Sequence, residues 1–127
     1  MMKTKMEPDT ATVAQRKEAL EKELRRIVAT LIEKYKPEKI ILFGSLASGG
    51  IHEWSDIDLL IIKETDKRPL DRATEVYTLL GDYREPMDLI VYTPAEVELL
   101  LNEGSFFVAE ILAEGKALYE KDNRTVA

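Results

Sequence analysis

Apolar residues recur at intervals of three and four from Val13 to Tyr35. Leu20, Leu24, Ile27, Val28, Leu31 and Tyr35 fall on one stripe, which predicts an amphipathic helix. Pro37 ends it, because the residue before a proline is pushed out of the helical region. The period then changes. Lys39–Phe43 and Asp56–Lys63 are short, nearly unbroken aliphatic runs, the pattern of strands buried on both faces. Pro69 opens a second helix carrying Leu70, Ala73, Val76, Tyr77 and Leu80, and Gly81 closes it. Pro86–Tyr92 reads as a third strand. Thr93-Pro-Ala-Glu96 is a capping box with proline at the first helical position, so a third helix starts there. A fourth, short helix is expected around Phe107, Val108 and Ile111, between Gly104-Ser105 and Gly115, with a last strand at Ala117–Tyr119. The order predicts one α/β (α+β) domain, a mixed sheet of three to four strands flanked by helices. It is expected over residues 13–120, with a flexible N-terminal tail over 1–12 and a C-terminal tail over 121–127.

The strand ends predict topology. Gly44 ends the first strand and Asp56 begins the second, so the chain returns antiparallel. Asp88 lies near the start of the third strand as Asp56 does in the second. Residues 64–85 are long enough for a crossover helix, which makes strands two and three parallel neighbours.

Composition removes several chemistries. A chain of 127 residues with 45% hydrophobic content has room for one core. With no cysteine there is no disulfide scaffold, thiolate zinc site or cysteine nucleophile, and a single histidine, His52, excludes multi-histidine metal sites. Eighteen basic against 24 acidic residues leave a net charge of −6, which argues against binding driven by nucleic-acid phosphates. No apolar run is long enough to cross a bilayer, and the start of the chain lacks the apolar core of a signal peptide; a cytoplasmic location is expected.

The informative stretch is Gly44 to Asp58. Asp56 and Asp58 stand two residues apart in a predicted strand, so both carboxylates point to one face. Two like charges beside a buried aliphatic run repel each other and resist desolvation. A divalent cation resolves both problems, and hard oxygen ligands suit Mg²⁺ or Mn²⁺. Asp88 interrupts another apolar strand and is a candidate third ligand. Gly44-Ser45 sits where a strand ends and a helical turn begins. Exposed N–H groups and a hydroxyl there suit a phosphate.

Gly44-Ser45, ten intervening residues, Asp56-Ile-Asp58 and a hydrophobic-flanked Asp88 together resemble the DNA polymerase β-type nucleotidyltransferase superfamily. The small size and the ending Glu114–Glu120 resemble its minimal nucleotidyltransferase branch, over roughly residues 15–120. The resemblance implies that Gly44 and Ser45 hold the triphosphate. Asp56 and Asp58 would bind the metal, two Mg²⁺ ions or Mn²⁺ in their place. Asp88 would complete the site and help activate an acceptor hydroxyl. The implied reaction is attack on the α-phosphorus of a nucleoside triphosphate, ATP first among them, with release of pyrophosphate. Many relatives carry arginine soon after the glycine-serine pair. This chain reads Leu46-Ala47-Ser48, and one source of triphosphate neutralisation is missing. Members of this branch often act as antitoxins that transfer AMP to a helical HEPN-type toxin, so such a partner protein is implied; self-association into a homo-oligomer stays open. Two other functions stay open as well: a non-catalytic module that masks a toxin, and a small-molecule nucleotidyltransferase.

Blander roles compete for several residues. Ser55 either caps the strand or touches phosphate. His52 is expected in a solvated loop, Trp54 as an anchor for that loop, and Lys63 on the surface. The mixed charges of 16–26 read as a solvated helix face, and Phe106-Phe107 as core.

Overall fold

The computed structural model describes residues 10–52, 54–122 and 124–125. The chain runs α1 (Thr10–Thr30), β1 (Lys39–Phe43), α2 (Ser45–Ser48), β2 (Ile57–Ile62), α3 (Pro69–Leu80), β3 (Met87–Tyr92), α4 (Pro94–Asn102), α5 (Phe106–Glu114), β4 (Lys116–Glu120) and β5 (Arg124–Thr125). The strands form one mixed sheet in the order β3-β2-β1-β4-β5. β2 runs antiparallel to β1 and parallel to β3, with α3 as the crossover, as the strand ends require. β5 is a two-residue edge strand beside β4, within the segment expected as a tail. The expected N-terminal tail falls mostly outside the described residues, and α1 begins at Thr10.

The alternation of side chains splits the core into two layers. Ile57, Leu59 and Ile61 of β2 join Ile40, Leu42, Leu89 and Val91 beneath α1 and α3, where Leu20, Ile27, Leu31, Val76 and Leu80 cover them. Leu60 and Ile62 face the other way, with Ile41, against Val97 of α4 and Val108 and Ile111 of α5. Continuous burial of Leu59–Ile62 is what the aliphatic run predicts. The predicted capping box is formed: Thr93 Oγ1 accepts from Glu96 N–H at 3.1 Å, and Glu96 Oε1 accepts from Thr93 N–H at 2.8 Å. At Gly115, an added Cβ would lie 2.5 Å from Ile111 O and 2.6 Å from Ile41 Cγ2, so the residue closes α5 tightly onto β1.

Lys63, expected on the surface, is structural, and so are other charged residues. Lys63 donates to Tyr35 O at 2.6 Å and sits 4.9 Å above the Tyr35 ring, closing the π-helical turn Leu31–Tyr35 that ends the first helix. Arg72 is buried in α3. It donates to Lys67 O, Val91 O and, bidentately, to Glu96, so one side chain fastens α3 to β3 and to the cap of α4. Within the charged stripe of α1, Glu23 is buried, accepting from Arg26 and from Arg84 N–H. Phe106 and Phe107 are exposed rather than core, because the core stripe of α5 is Val108 and Ile111.

Candidate active site

Phe43 pairs with Asp58 across β1–β2, and Asp58 pairs with Asp88 across β2–β3. Side chains at paired positions share a face. Asp58 and Asp88 therefore stand side by side on the α4/α5 face, at the end of the sheet those helices leave open. Asp56 immediately precedes β2, and its carboxyl hydrogen-bonds to that of Asp58. Burial, and then the charges of Asp56 and Asp88, push Asp58 up from the ordinary 3.8 to about 7. Asp56 and Asp58 are thus in contact, whereas Asp88 is exposed at the neighbouring strand. Among the described residues, no three acidic side chains are already drawn into a closed cage. The donor set nonetheless suits a hard divalent cation: oxygens only, crowded enough to hold a proton near neutrality when none is bound.

The turn before α2 is shaped around Asp58. Gly44 adopts φ 77°, ψ −161°, a conformation essentially confined to glycine. A Cβ built there would lie 2.1 Å from Asp58 Oδ2. The glycine therefore permits both the turn and the close approach of the carboxylate. Behind it, Ser45 Oγ donates to Ser55 Oγ at 2.9 Å, and Ser55 Oγ accepts from His52 N–H at 2.9 Å. Ser55 is buried and ties the loop to α2. His52 and Trp54 are exposed, and Trp54, at 74%, does not anchor the loop. A sequence cannot reveal which loop residue is tied down when the tie is one hydroxyl to another ten residues away.

Arg16 was hidden in the same way. From α1 it donates to Ser55 O at 3.1 Å (Nε) and 2.7 Å (Nη2), and it pairs with Glu85. One guanidinium thus fixes the loop before Asp56 and the loop before β3, which carries Asp88. Arg16→Gln is expected to lower the transfer rate about tenfold and the stability by about 1.5–3 kcal/mol, the net contribution of hydrogen bonds to charged groups. Rates and urea unfolding on one preparation check both. Unchanged rates would remove Arg16 from the positioning of the acids.

Residues 25–124 match the family described as polymerase beta, nucleotidyltransferase. Two Methanocaldococcus jannaschii proteins, both provisionally named protein adenylyltransferases, are similar. MJ1305 is 32% identical over 112 residues, covering 81% of this chain and 76% of its own. MJ0604 is 38% identical over 104 residues, covering 78% of this chain and 97% of its own. A crystal structure from Sulfolobus solfataricus, provisionally described as a nucleotidyltransferase, superposes with a TM-score of 0.64 over 96% of this chain and 98% of that one. At 18% identity that likeness speaks for the fold.

Proposed function

Since this chain belongs to the polymerase β nucleotidyltransferase family, we propose that it transfers AMP from ATP to a hydroxyl on a partner protein, a helical HEPN-type toxin being the partner its sequence class implies. The observation that carries the reading is the packing of Gly44 against Asp58, with Asp56 in contact and Asp88 on the adjacent strand.

Asp56, Asp58 and Asp88 would hold Mg²⁺. Bound there, the cation supplies charge neutralisation for the triphosphate and for the pyrophosphate that leaves. The remaining work falls to the chain. Gly44 brings backbone close to the phosphates without a side chain in the way. Ser45 can exchange partners. Ser55 already accepts from His52 N–H, so it can turn its own proton to Ser45 Oγ and free the Ser45 hydroxyl to donate to a phosphate oxygen. Asp88, the exposed acid, would take the proton of the acceptor hydroxyl as the hydroxyl oxygen bonds the α-phosphorus. The bond from the α-phosphorus to the bridging oxygen breaks, and pyrophosphate departs. The names of the Methanocaldococcus relatives support a protein acceptor and an adenylyl donor.

Incubating the protein with α-labelled ATP, Mg²⁺ and the product of its neighbouring gene tests the reading. Label on the partner, lost in Asp56→Asn, is the expected result. Stable complex formation without label, unchanged by that substitution, would instead make the chain a masking module, the reading that the missing arginine after Ser45 favours.

A further inference from the structure

Four large apolar side chains face solvent within nine residues around the turn from α4 to α5: Leu99, Leu101, Phe106 and Phe107. We propose that this elbow docks the partner protein through a surface that is apolar at its centre and basic at its rim; this rests on the transfer reading and says where the partner sits.

Three observations carry it. The first is that the fold does not use these side chains. The core stripe of the two helices is Val97, Val108 and Ile111, while Phe106 is 77% and Leu99 55% exposed. The turn is nonetheless firmly built. Gly104 N–H donates to Leu101 O at 3.0 Å, Ser105 N–H to Leu100 O at 2.9 Å, and Ser105 Oγ accepts from Val108 N–H at 3.3 Å. Apolar groups displayed on a fixed backbone have less order to gain on binding, and aromatic ones anchor protein interfaces.

The second is charge. Residues 93–115 hold five of the chain's 24 acidic residues and none of its 18 basic ones, so nearly all of the net −6 comes from this segment. Glu96 is taken by Arg72. Glu98, Glu103, Glu110 and Glu114 are exposed and form no ion pair among the described residues. Apolar side chains rimmed by unpaired carboxylates select their occupant. A second copy docked through the same surface would set these carboxylates against their own kind. An anionic bilayer or a nucleic acid would be repelled as well. A protein surface carrying Lys or Arg around an apolar centre satisfies both parts.

The third is position. Phe107 meets Phe43 edge-on, centroids 5.9 Å apart, and Phe43 is the strand partner of Asp58. Adjacent strands lie about 4.8 Å apart. A protein seated on the elbow therefore borders the acids, where its hydroxyl is needed.

Transfer of labelled AMP to the product of the neighbouring gene, run beside calorimetric titration of that protein and of Mg²⁺–ATP, tests the docking. Leu99→Ser/Phe106→Ser changes two exposed positions outside the site. It is expected to weaken the partner complex and raise the acceptor KM at least tenfold, with kcat and Mg²⁺–ATP affinity within twofold. Glu98→Lys/Glu103→Lys is expected to do the same about fivefold. It should also remove most of the weakening that the parent complex shows as salt rises from about 50 to about 300 mM. Partner affinity unaltered in both variants overturns the docking surface, and label still reaching the partner then leaves the transfer reading standing. Tighter binding after charge reversal also overturns it, since the partner's surface would be acidic. So does a parent dimer that the serines dissociate, which gives the surface to a second copy, or flotation with phosphatidylglycerol vesicles that they abolish, which gives it to a membrane. A complex that both variants weaken, with no label in any protein, keeps the docking surface and removes the transfer reading. A partner neither bound nor labelled overturns both.

Discussion

Asp58→Asn is expected to lower nucleotidyl transfer by about three orders of magnitude and yet to leave the metal-free protein more stable than its parent at pH 8. The rate loss is about 4 kcal/mol of barrier, the scale on which removing a preorganised charged group acts. The stability gain follows from the same crowding. Asp58 is raised to about 7 by burial and by the charges of Asp56 and Asp88. The folded chain therefore holds this proton more tightly than the unfolded chain. The contribution is complete only below about pH 4 and is lost as the pH rises through about 7. The shift sets an upper scale of about 4 kcal/mol, which partial exposure and counter-ions reduce to about 1–2 kcal/mol. Asparagine does not titrate, so the variant loses no stability through this site between pH 5 and 8. Urea unfolding of both proteins at those two pH values in chelator reads the difference. A variant less stable than the parent at pH 8 would show Asp58 to be half of a structural ion pair.

Gly44→Ala is expected to disable the site by a different route. The substitution forces a Cβ toward Asp58 Oδ2, at 2.1 Å, and onto a backbone at φ 77°, ψ −161°. Strained conformations of that kind cost about 1–3 kcal/mol, and overpacking about as much again. Alanine should therefore lower stability by about 3–4 kcal/mol and displace the carboxylate, with transfer falling at least a hundredfold. Gly49→Ala is the control. Its φ is also positive, at 90°, but no atom lies within 4 Å of the added Cβ, so only the backbone cost of about 1 kcal/mol remains. A double-mutant cycle with Asp58→Ala isolates the steric part: the cost of Gly44→Ala should shrink in that background. Equal costs in both backgrounds would mean that the carboxylate and the turn do not meet.

Much of this architecture could be read from the order of residues, for local reasons. Strand ends at Gly44 and Asp56, the crossover length of 64–85 and the box at Thr93–Glu96 each depend on a few neighbouring positions, and together they place Asp58 beside Asp88. What was not legible depends on where distant elements cross. Arg16 reads as one more charge on a solvated helix until α1 brings it to Ser55 and Glu85. Arg72 looks like any surface arginine until α3 sets it against β3 and Glu96. The reverse error falls on Trp54, Phe106 and Phe107. Their apolarity suggests burial, but the core is filled by Ile57 in one case and by Val108 with Ile111 in the other, while Ser55 is the loop residue that is buried.

We propose that Asp56, Asp58 and Asp88 converge on a divalent cation. Electron paramagnetic resonance of Mn²⁺, titrated into the protein with ATP at pH 8, addresses it without relying on turnover. Saturable loss of the free Mn²⁺ signal beyond that caused by ATP alone is expected, with affinity falling at least tenfold in Asp58→Asn and on acidification to pH 6. Mn²⁺ binding that Asp58→Asn leaves unchanged, or no binding beyond that of ATP itself, would contradict it.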